Sequence, residues 1–223
     1  MYWSDEGYLL SKNNFDENSI IIESFTLNHG RFKGIVYGGA SRKQKKNFQI
    51  GNKLFLNWRS KGENRPGYFN TELLKAISPK FFDDKKKTAC ILSATSILKI
   101  LLPERQTNAT IFKSFEKILG ELTSDSWINS YIYWELFLIK ELGYESIFYD
   151  LNSNDNKIKN SIIVNERFLK VPNFFHESKT YNHSNLEIKK ALSFNKNLIL
   201  ENFIIPNRLK FPLFRKLLES YYN

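Results

Sequence analysis

The stretch Ser19-Ile20-Ile21-Ile22-Glu23-Ser24-Phe25-Thr26-Leu27-Asn28-His29-Gly30-Arg31-Phe32-Lys33-Gly34-Ile35-Val36-Tyr37 decides the fold. Its first eight residues are rich in β-branched and aromatic side chains, which fit a pleated strand. Asn28-His29-Gly30 tolerates positive φ, so the chain can turn there and return as Arg31–Tyr37, its hairpin partner. Working outward, Tyr8-Leu9-Leu10 is also strand-like. Within Lys53–Trp58, Leu54, Leu56 and Trp58 alternate with Lys53, Phe55 and Asn57, the period of a half-buried strand. Pro66-Gly67 predicts a turn and Tyr68–Leu73 a last strand. Five short strands before residue 79 suit a small closed barrel, and an OB-fold is the economical choice.

From Ser78-Pro79 onward the period changes. Asp83 or Asp84 can cap a helix running to about Leu102, where Pro103 ends it. Asn108 can cap another, with Ile111, Phe112, Phe115, Ile118, Leu119 and Leu122 as its apolar stripe. Ser124 or Asp125 begins a third, closed by Gly143. Short connections predict that these three pack as antiparallel neighbours. Asn152–Asn160 reads as a polar loop and Ser161–Val164 as a short strand. Further helices are expected at Leu186–Ser193 and Arg208–Tyr222, with Pro206 marking the start of the last. The predicted class is therefore α+β: a five-stranded OB-fold barrel over residues 1–78 for binding nucleic acid, then a mainly α-helical domain over 79–223.

Composition narrows the function. The chain has 223 residues, 33 Lys+Arg against 23 Asp+Glu, a formal charge of +10 and one cysteine. The lone Cys90 excludes an intramolecular disulfide and any zinc site built on several thiolates, and it fits a reducing compartment. Asp5 and Glu6 replace the basic region of a secretory signal, and the apolar run Ala89–Leu102 is too short and too polar to span a bilayer. The expectation is a soluble, cytoplasmic protein with no membrane partner. A Lys-rich composition can arise from an AT-rich genome without selection for binding. Its placement says more: Arg31 to Lys61 holds nine basic residues and no acidic one.

Enzyme signatures are missing. No Walker A sequence exists around Gly34, Gly38 and Gly39, where a strand bend or bulge is the better use of glycine. His29, His176 and His183 stand apart without metal-ligand spacing, and Cys90 lies in an apolar helical run. Asp5-Glu6 and Asp16-Glu17 are adjacent carboxylates that point to opposite faces of a strand and read as solvated rim charge. Asp125, Glu135 and Glu141 read as helix caps and surface charges. No nucleophile, base and orienting group come together, so no catalytic residue, metal or cofactor is expected.

The basic window interleaves cations with Phe32, Tyr37, Phe48, Phe55 and Trp58. Binding a single strand needs both, cations for phosphates and ring faces for bases. The same aromatics can equally be core, and Phe55 and Trp58 differ in parity, so at most one faces out. Gly38-Gly39-Ala40-Ser41-Arg42-Lys43-Gln44-Lys45-Lys46 is the sharpest local feature, two glycines followed by four cations, and reads as a phosphate-contact loop. The expected nucleic-acid contacts are Arg31, Lys33, Arg42, Lys43, Lys45, Lys46 and Arg59 on phosphate, with Tyr37 or Phe48 stacking.

The same residues carry a resemblance. Trp3-x-Asp5-Glu6-Gly7, Glu17-Asn18-Ser19, Phe25-Thr26, His29-Gly30-Arg31 and Gly38-Gly39-Ala40-Ser41-Arg42-Lys43 resemble the opening of the RecO family of bacterial recombination and repair mediators, most of all its alphaproteobacterial branch. The likeness returns at Leu101-Leu102-Pro103-Glu104-Arg105, at Trp134-Glu135-Leu136, at Glu141-Leu142-Gly143-Tyr144 and faintly at Pro206-Asn207-Arg208. It implies an amino-terminal OB-fold and a helical domain, and binding and annealing of single- and double-stranded DNA. It also implies partnership with the RecR protein and with the acidic tail of the single-stranded DNA-binding protein, to help load the RecA recombinase. Many family members carry four cysteines and a Ser-Pro-x-x-Gly sequence after the Glu-Leu-Gly segment; Tyr149–Phe168 here has neither, so no structural zinc is expected. Two other readings stay open at this stage: an adaptor that binds acidic peptide tails through its helical part, and an RNA-binding OB protein.

Overall fold

The computed structural model describes residues 1–62, 67–144, 160–177 and 182–223. Pro66 of the expected Pro66-Gly67 turn and residues 152–159 of the expected polar loop lie outside them. The chain divides into two compact units, Met1–Lys113 and Ser114–Asn223. Strand gives way to helix at Ser78, but the unit holding the strands runs on to Lys113.

In the first unit β1 (Tyr2–Asn14), β2 (Ile20–Thr26), β3 (Gly30–Val36), β4 (Lys53–Arg59) and β5 (Tyr68–Lys75) close in the order β1-β2-β3-β5-β4. All pairs are antiparallel except β3 with β5, which meet in parallel at Ile35 and Tyr68. This is the OB-type arrangement. β1 pairs with both β2 and β4, and a register shift between Leu9 and Ser11 bends it from one partner to the other. Every second residue points inward: Leu9, Ile20, Ile22, Val36, Leu54, Leu56, Trp58 and Phe69 form the barrel core. Burying each such side chain contributes roughly 1.5–3 kcal/mol.

β1 is far longer than the expected Tyr8-Leu9-Leu10, because its polar first half is also used. Asp5 is buried rather than solvated rim charge. Its carboxylate accepts the Asn28 backbone N–H at 2.7 Å and meets His29 Nδ1 at 2.9 Å, tying β1 to the β2–β3 turn. Asp16 caps the β1–β2 turn; the backbone N–H of Asn18, then the hydroxyl and N–H of Ser19, hold its carboxyl below the usual range.

After β5, a 3₁₀ turn at Ser78–Phe81 leads to α2 (Lys85–Leu101), whose N-cap Asp84 accepts from the Lys86 and Lys87 amides at 3.0 Å. Helix α1 is the single turn Arg42–Lys45 between β3 and β4. α2 packs on β1 of the barrel and belongs to the first unit.

The division between units falls within α3 (Ala109–Glu121), where Asn108 Oδ1 caps Ile111 at 2.8 Å as the sequence predicted. In the second unit, α4 (Trp127–Glu141) starts after Ser126, one or two residues beyond the expected Asp125 or Ser124, and Gly143 follows it with φ +103°. α4 packs on α5 (Asn185–Ile199), which opens with a Ser184–Glu187 capping box and runs into a π-helical turn at Leu200–Ile204. β6 (Ser161–Val164) forms a hairpin with β7 (Arg167–Lys170), unseen in the sequence because its two-residue turn is Asn165-Glu166, both at positive φ, where Asn-Gly would be the usual signal. The last helix, α6 (Leu213–Ser220), begins after Pro212 and not at Pro206; Arg208 sits at φ +52° and breaks any helix there.

Glu135 is not a surface charge. It is fully buried against Arg215 of α6, also fully buried. Arg215 Nε donates to Glu135 Oε1 at 2.5 Å and its Nη2 to Oε2 at 3.1 Å and to the Leu192 carbonyl at 2.6 Å. Tyr131 and Asn195 donate to the same carboxylate at 2.6 and 3.2 Å. Burial works against the guanidinium charge, and Glu135 above all outweighs it, so the Arg215 pKa is raised.

Candidate nucleic-acid interface

β3 leaves the barrel at Val36 into Tyr37-Gly38-Gly39-Ala40. Gly38 takes φ +72°, and a Cβ at Gly39 would stand 2.7 Å from the Ile20 side chain, so the second glycine serves passage over β2 rather than approach of a ligand. The Ala40 N–H bonds to the Asn18 carbonyl at 3.2 Å, which fastens the segment to the β1–β2 turn. Ser41 then precedes the turn of α1, where the Lys45 N–H returns to the Ser41 carbonyl at 2.9 Å. Arg42, Lys43, Lys45 and Lys46 are all exposed, and none makes an ion pair with a described residue. A recess of about 560 Å³ lies beneath, lined by Lys12, Asp16, Gly39, Ala40, Lys45 and Phe48. In it Lys12 donates to the Phe48 carbonyl at 2.5 Å, and burial, then the charge of Lys45, lowers its pKa.

The remaining expected contacts separate. Phe48 is only 1% exposed and belongs to the barrel core, so it offers no stacking face. Its backbone lies in the cationic segment, but the barrel interior takes its ring. Tyr37 is 66% exposed, with its ring centroid 6.1 Å from that of Tyr68. Arg59, at the end of β4, is exposed and lies 5.0 Å from the Tyr2 ring. Arg31 is half-buried and consumed: it pairs with the buried Glu23, and its Nε donates to the Leu102 carbonyl at 2.8 Å. Glu23 also accepts from Ser11 Oγ at 3.1 Å and pairs with Lys99 at 3.5 Å. Lys33 is exposed and paired with Glu104 at 3.1 Å. Arg31 and Lys33 thus stand toward the far end of β3, and Arg31 is roughly 20 Å of extended strand from Tyr37.

Two families match the chain: the one described as Recombination protein O N terminal over residues 1–76, and the one described as Recombination protein O C terminal over residues 83–161. The chain belongs to the RecO family. Similar proteins include the DNA repair protein RecO of Cereibacter sphaeroides, 34% identical over 142 residues, or 64% of this chain and 60% of that protein. Those of Roseobacter denitrificans and Wolbachia are 35% and 31% identical over 145 and 147 residues, in each case 65% of this chain and 60% of the relative. The matched part therefore spans about 60% of the length of these relatives.

The fold explains two of the RecO-like stretches together. His29-Gly30-Arg31 receives Leu101–Arg105: Arg31 binds the Leu102 carbonyl, and the Arg105 N–H bonds back to the Arg31 carbonyl at 2.9 Å. Gly30 takes φ +73°, and a Cβ there would stand 2.1 Å from the Gln106 carbonyl oxygen, so only glycine fits. Glu104 lies between Lys33, Arg31 and Arg105; the Lys33 hydrogen bond first, then these charges, hold its carboxyl below the usual range against partial burial. A third stretch, Trp134-Glu135-Leu136, supplies the buried carboxylate that anchors Arg215.

Sequence reasoning missed Tyr2, which is exposed, and Tyr68, which is half-buried, as outward aromatics of this RecO barrel. A signal existed: each is adjacent to an inward aromatic, Trp3 and Phe69, and so has outward parity. Among the described residues no group of three His, Cys, Asp or Glu side chains could hold a metal ion, and no helix is long and apolar enough to cross a membrane.

Proposed function

We propose that this RecO family member binds single- and double-stranded DNA in repair and recombination, without breaking bonds, through residues 1–78. The observation that carries the reading is the cluster Arg42, Lys43, Lys45 and Lys46, exposed and unpaired with any described residue, on a barrel of OB-type order. Folding leaves these charges without partners among the described residues, and a phosphate backbone is the ligand that would use them. Placing cations between two backbones lowers their repulsion, which is the physical requirement for annealing complementary strands. In this reading the protein acts in the cytoplasm at the nucleoid, and residues 79–223 serve partners: RecR, and through it loading of RecA onto strands covered by the single-stranded DNA-binding protein.

A salt titration of fluorescent oligonucleotide binding tests it. Arg42, Lys43, Lys45, Lys46 and Arg59 would neutralise about five single-strand phosphates, a slope of log K against log salt near about −3.5. Replacing the four loop cations together is expected to bring the slope to about −0.7 and to weaken all sequences alike. A flat titration of the unaltered protein would overturn the reading.

One observation favours a second ligand, an acidic peptide such as the tail of the single-stranded DNA-binding protein. The second unit holds a groove of about 430 Å³ whose lining includes Phe168, Val171, Pro172 and Phe194, with Lys170 and Lys190 beside them. The apolar floor and the two lysines, with Glu187 also on the lining, match a peptide with acidic residues and an apolar end. Calorimetry with such a peptide, and with a scrambled one of equal charge, separates recognition from charge attraction.

A further inference from the structure

The barrel carries another surface that the loop cations do not explain. Trp3, Trp58 and Phe69 lie opposite one another across β1, β4 and β5 and fill the interior. Trp3 and Trp58 stack at 5.7 Å between centroids, and Trp3 meets Phe69 edge-on at 6.0 Å. Glycines make room for them: a Cβ at Gly67 would stand 2.2 Å from the Trp58 ring, and one at Gly34 2.6 Å from that of Phe69. Since side chains alternate along a strand, the adjacent register row Tyr2, Arg59 and Tyr68 is forced outward. Tyr2 is 62% exposed with Arg59 over its ring, and Tyr68 lies beside the exposed Tyr37. The outcome is a row, Tyr2, Arg59 and Tyr68, across β1, β4 and β5, which Tyr37, just past the end of β3, extends through its contact with Tyr68.

We propose that this row is a base-stacking subsite for an unpaired DNA strand, continuous with the phosphate-contacting loop. The proposal rests on the DNA-binding reading above and adds the form of DNA that the site prefers. Single exposed aromatics are ordinary on a protein surface; Tyr2, Arg59 and Tyr68 in consecutive register positions, with the Tyr37 ring beside that of Tyr68, form a platform. Base faces are buried in a duplex and open in a single strand, so planar groups of this kind reward the unpaired form. Rings standing on paired strands have little conformational freedom to lose on binding. Tyr37 lies five residues before Arg42, so one strand can stack at Tyr37 and be held by phosphate at the loop.

The test compares an oligo-dT with an oligonucleotide of equal length whose central sugars are abasic, using the full chain. Both carry the same phosphates. The unaltered protein is expected to bind oligo-dT about tenfold or more tightly, with equal salt slopes. Changing Tyr2→Leu and Tyr37→Leu together should bring oligo-dT to the abasic level and leave abasic binding alone; Tyr2→Phe with Tyr37→Phe should keep the difference. Equal affinity of the unaltered protein for both strands, with a steep salt slope, overturns the stacking proposal and leaves the DNA-binding reading standing. A leucine variant that weakens both strands equally also overturns it. Absence of binding to either strand overturns both readings.

Discussion

Arg31 and Arg42 carry the same charge eleven residues apart, and the fold treats them oppositely. Arg31 stands at the start of β3, pairs with the buried Glu23 and holds the Leu102 carbonyl, so its charge is spent on structure. Arg42 stands beyond the end of β3, exposed on one helical turn. A basic window read along the sequence therefore mixes two populations, and only partners contributed by distant residues separate them. The second unit holds the extreme of the first population, Arg215, fully buried with Glu135. Burial raises the cost of leaving a cation unpaired and removes it from any ligand.

This contrast can be broken by substitution, the largest effect coming where burial is complete. Glu135→Ala leaves Arg215 buried without its main partner and is expected to cost about 3–5 kcal/mol in chemical denaturation. Glu135→Leu combined with Arg215→Met should recover most of that loss, because the cost lies in the unpaired charge. A single-substitution loss under about 1 kcal/mol would show that water reaches the pair. Arg31→Ala comes next, at about 2–3 kcal/mol, since Glu23 keeps only Lys99 and Ser11. Its salt slope for DNA should match that of the unaltered protein. The loop substitutions invert the pattern, with stability within about 0.5 kcal/mol and a changed slope. If Arg31→Ala instead flattened the slope, Arg31 would belong to the DNA-facing population.

The smallest effect concerns pH. Glu104 has its carboxyl held below its ordinary value of 4.5, first by the Lys33 hydrogen bond and then by the charges of Lys33, Arg31 and Arg105. A depressed folded-state value means that its contribution is complete above the ordinary value and is lost as pH falls through the folded one. An NMR titration of Glu104 should show that depression, and Lys33→Gln should move the midpoint upward. Because Glu104 is half exposed, solvent screening keeps the associated change in stability to a few tenths of a kcal/mol.

Much of the fold was legible because its determinants are local. Alternation over Lys53–Trp58, the turn at Asn28-His29-Gly30 and the caps Asp84 and Asn108 each act within a few residues, and each stands where its chemistry requires. β1 was underestimated because Asp5 looks like a surface residue until the amides it accepts are brought to it from the β2–β3 turn. Pro206 misled because a second proline, Pro212, and the left-handed Arg208 set the true start of α6. Of the site, Tyr37 and the four loop cations stand exposed as expected, whereas Phe48 and Arg31 do not.

By itself the sequence determined the barrel, the helical remainder, the family and the segment in which cation follows cation without a carboxylate. Periodicity, turn chemistry and composition are properties of neighbouring residues, and they survive being read in one dimension. Only the tertiary structure decided which charges remain available. Glu23 meets Arg31 across the β2–β3 hairpin, Glu104 meets Lys33 from a segment beyond α2, and Glu135 meets Arg215 from the far end of the second unit. It also set the outward row of tyrosines, since the side a residue faces depends on strand register as well as parity. Electrostatic pairing and burial depend on distances through space, and folding alone supplies them.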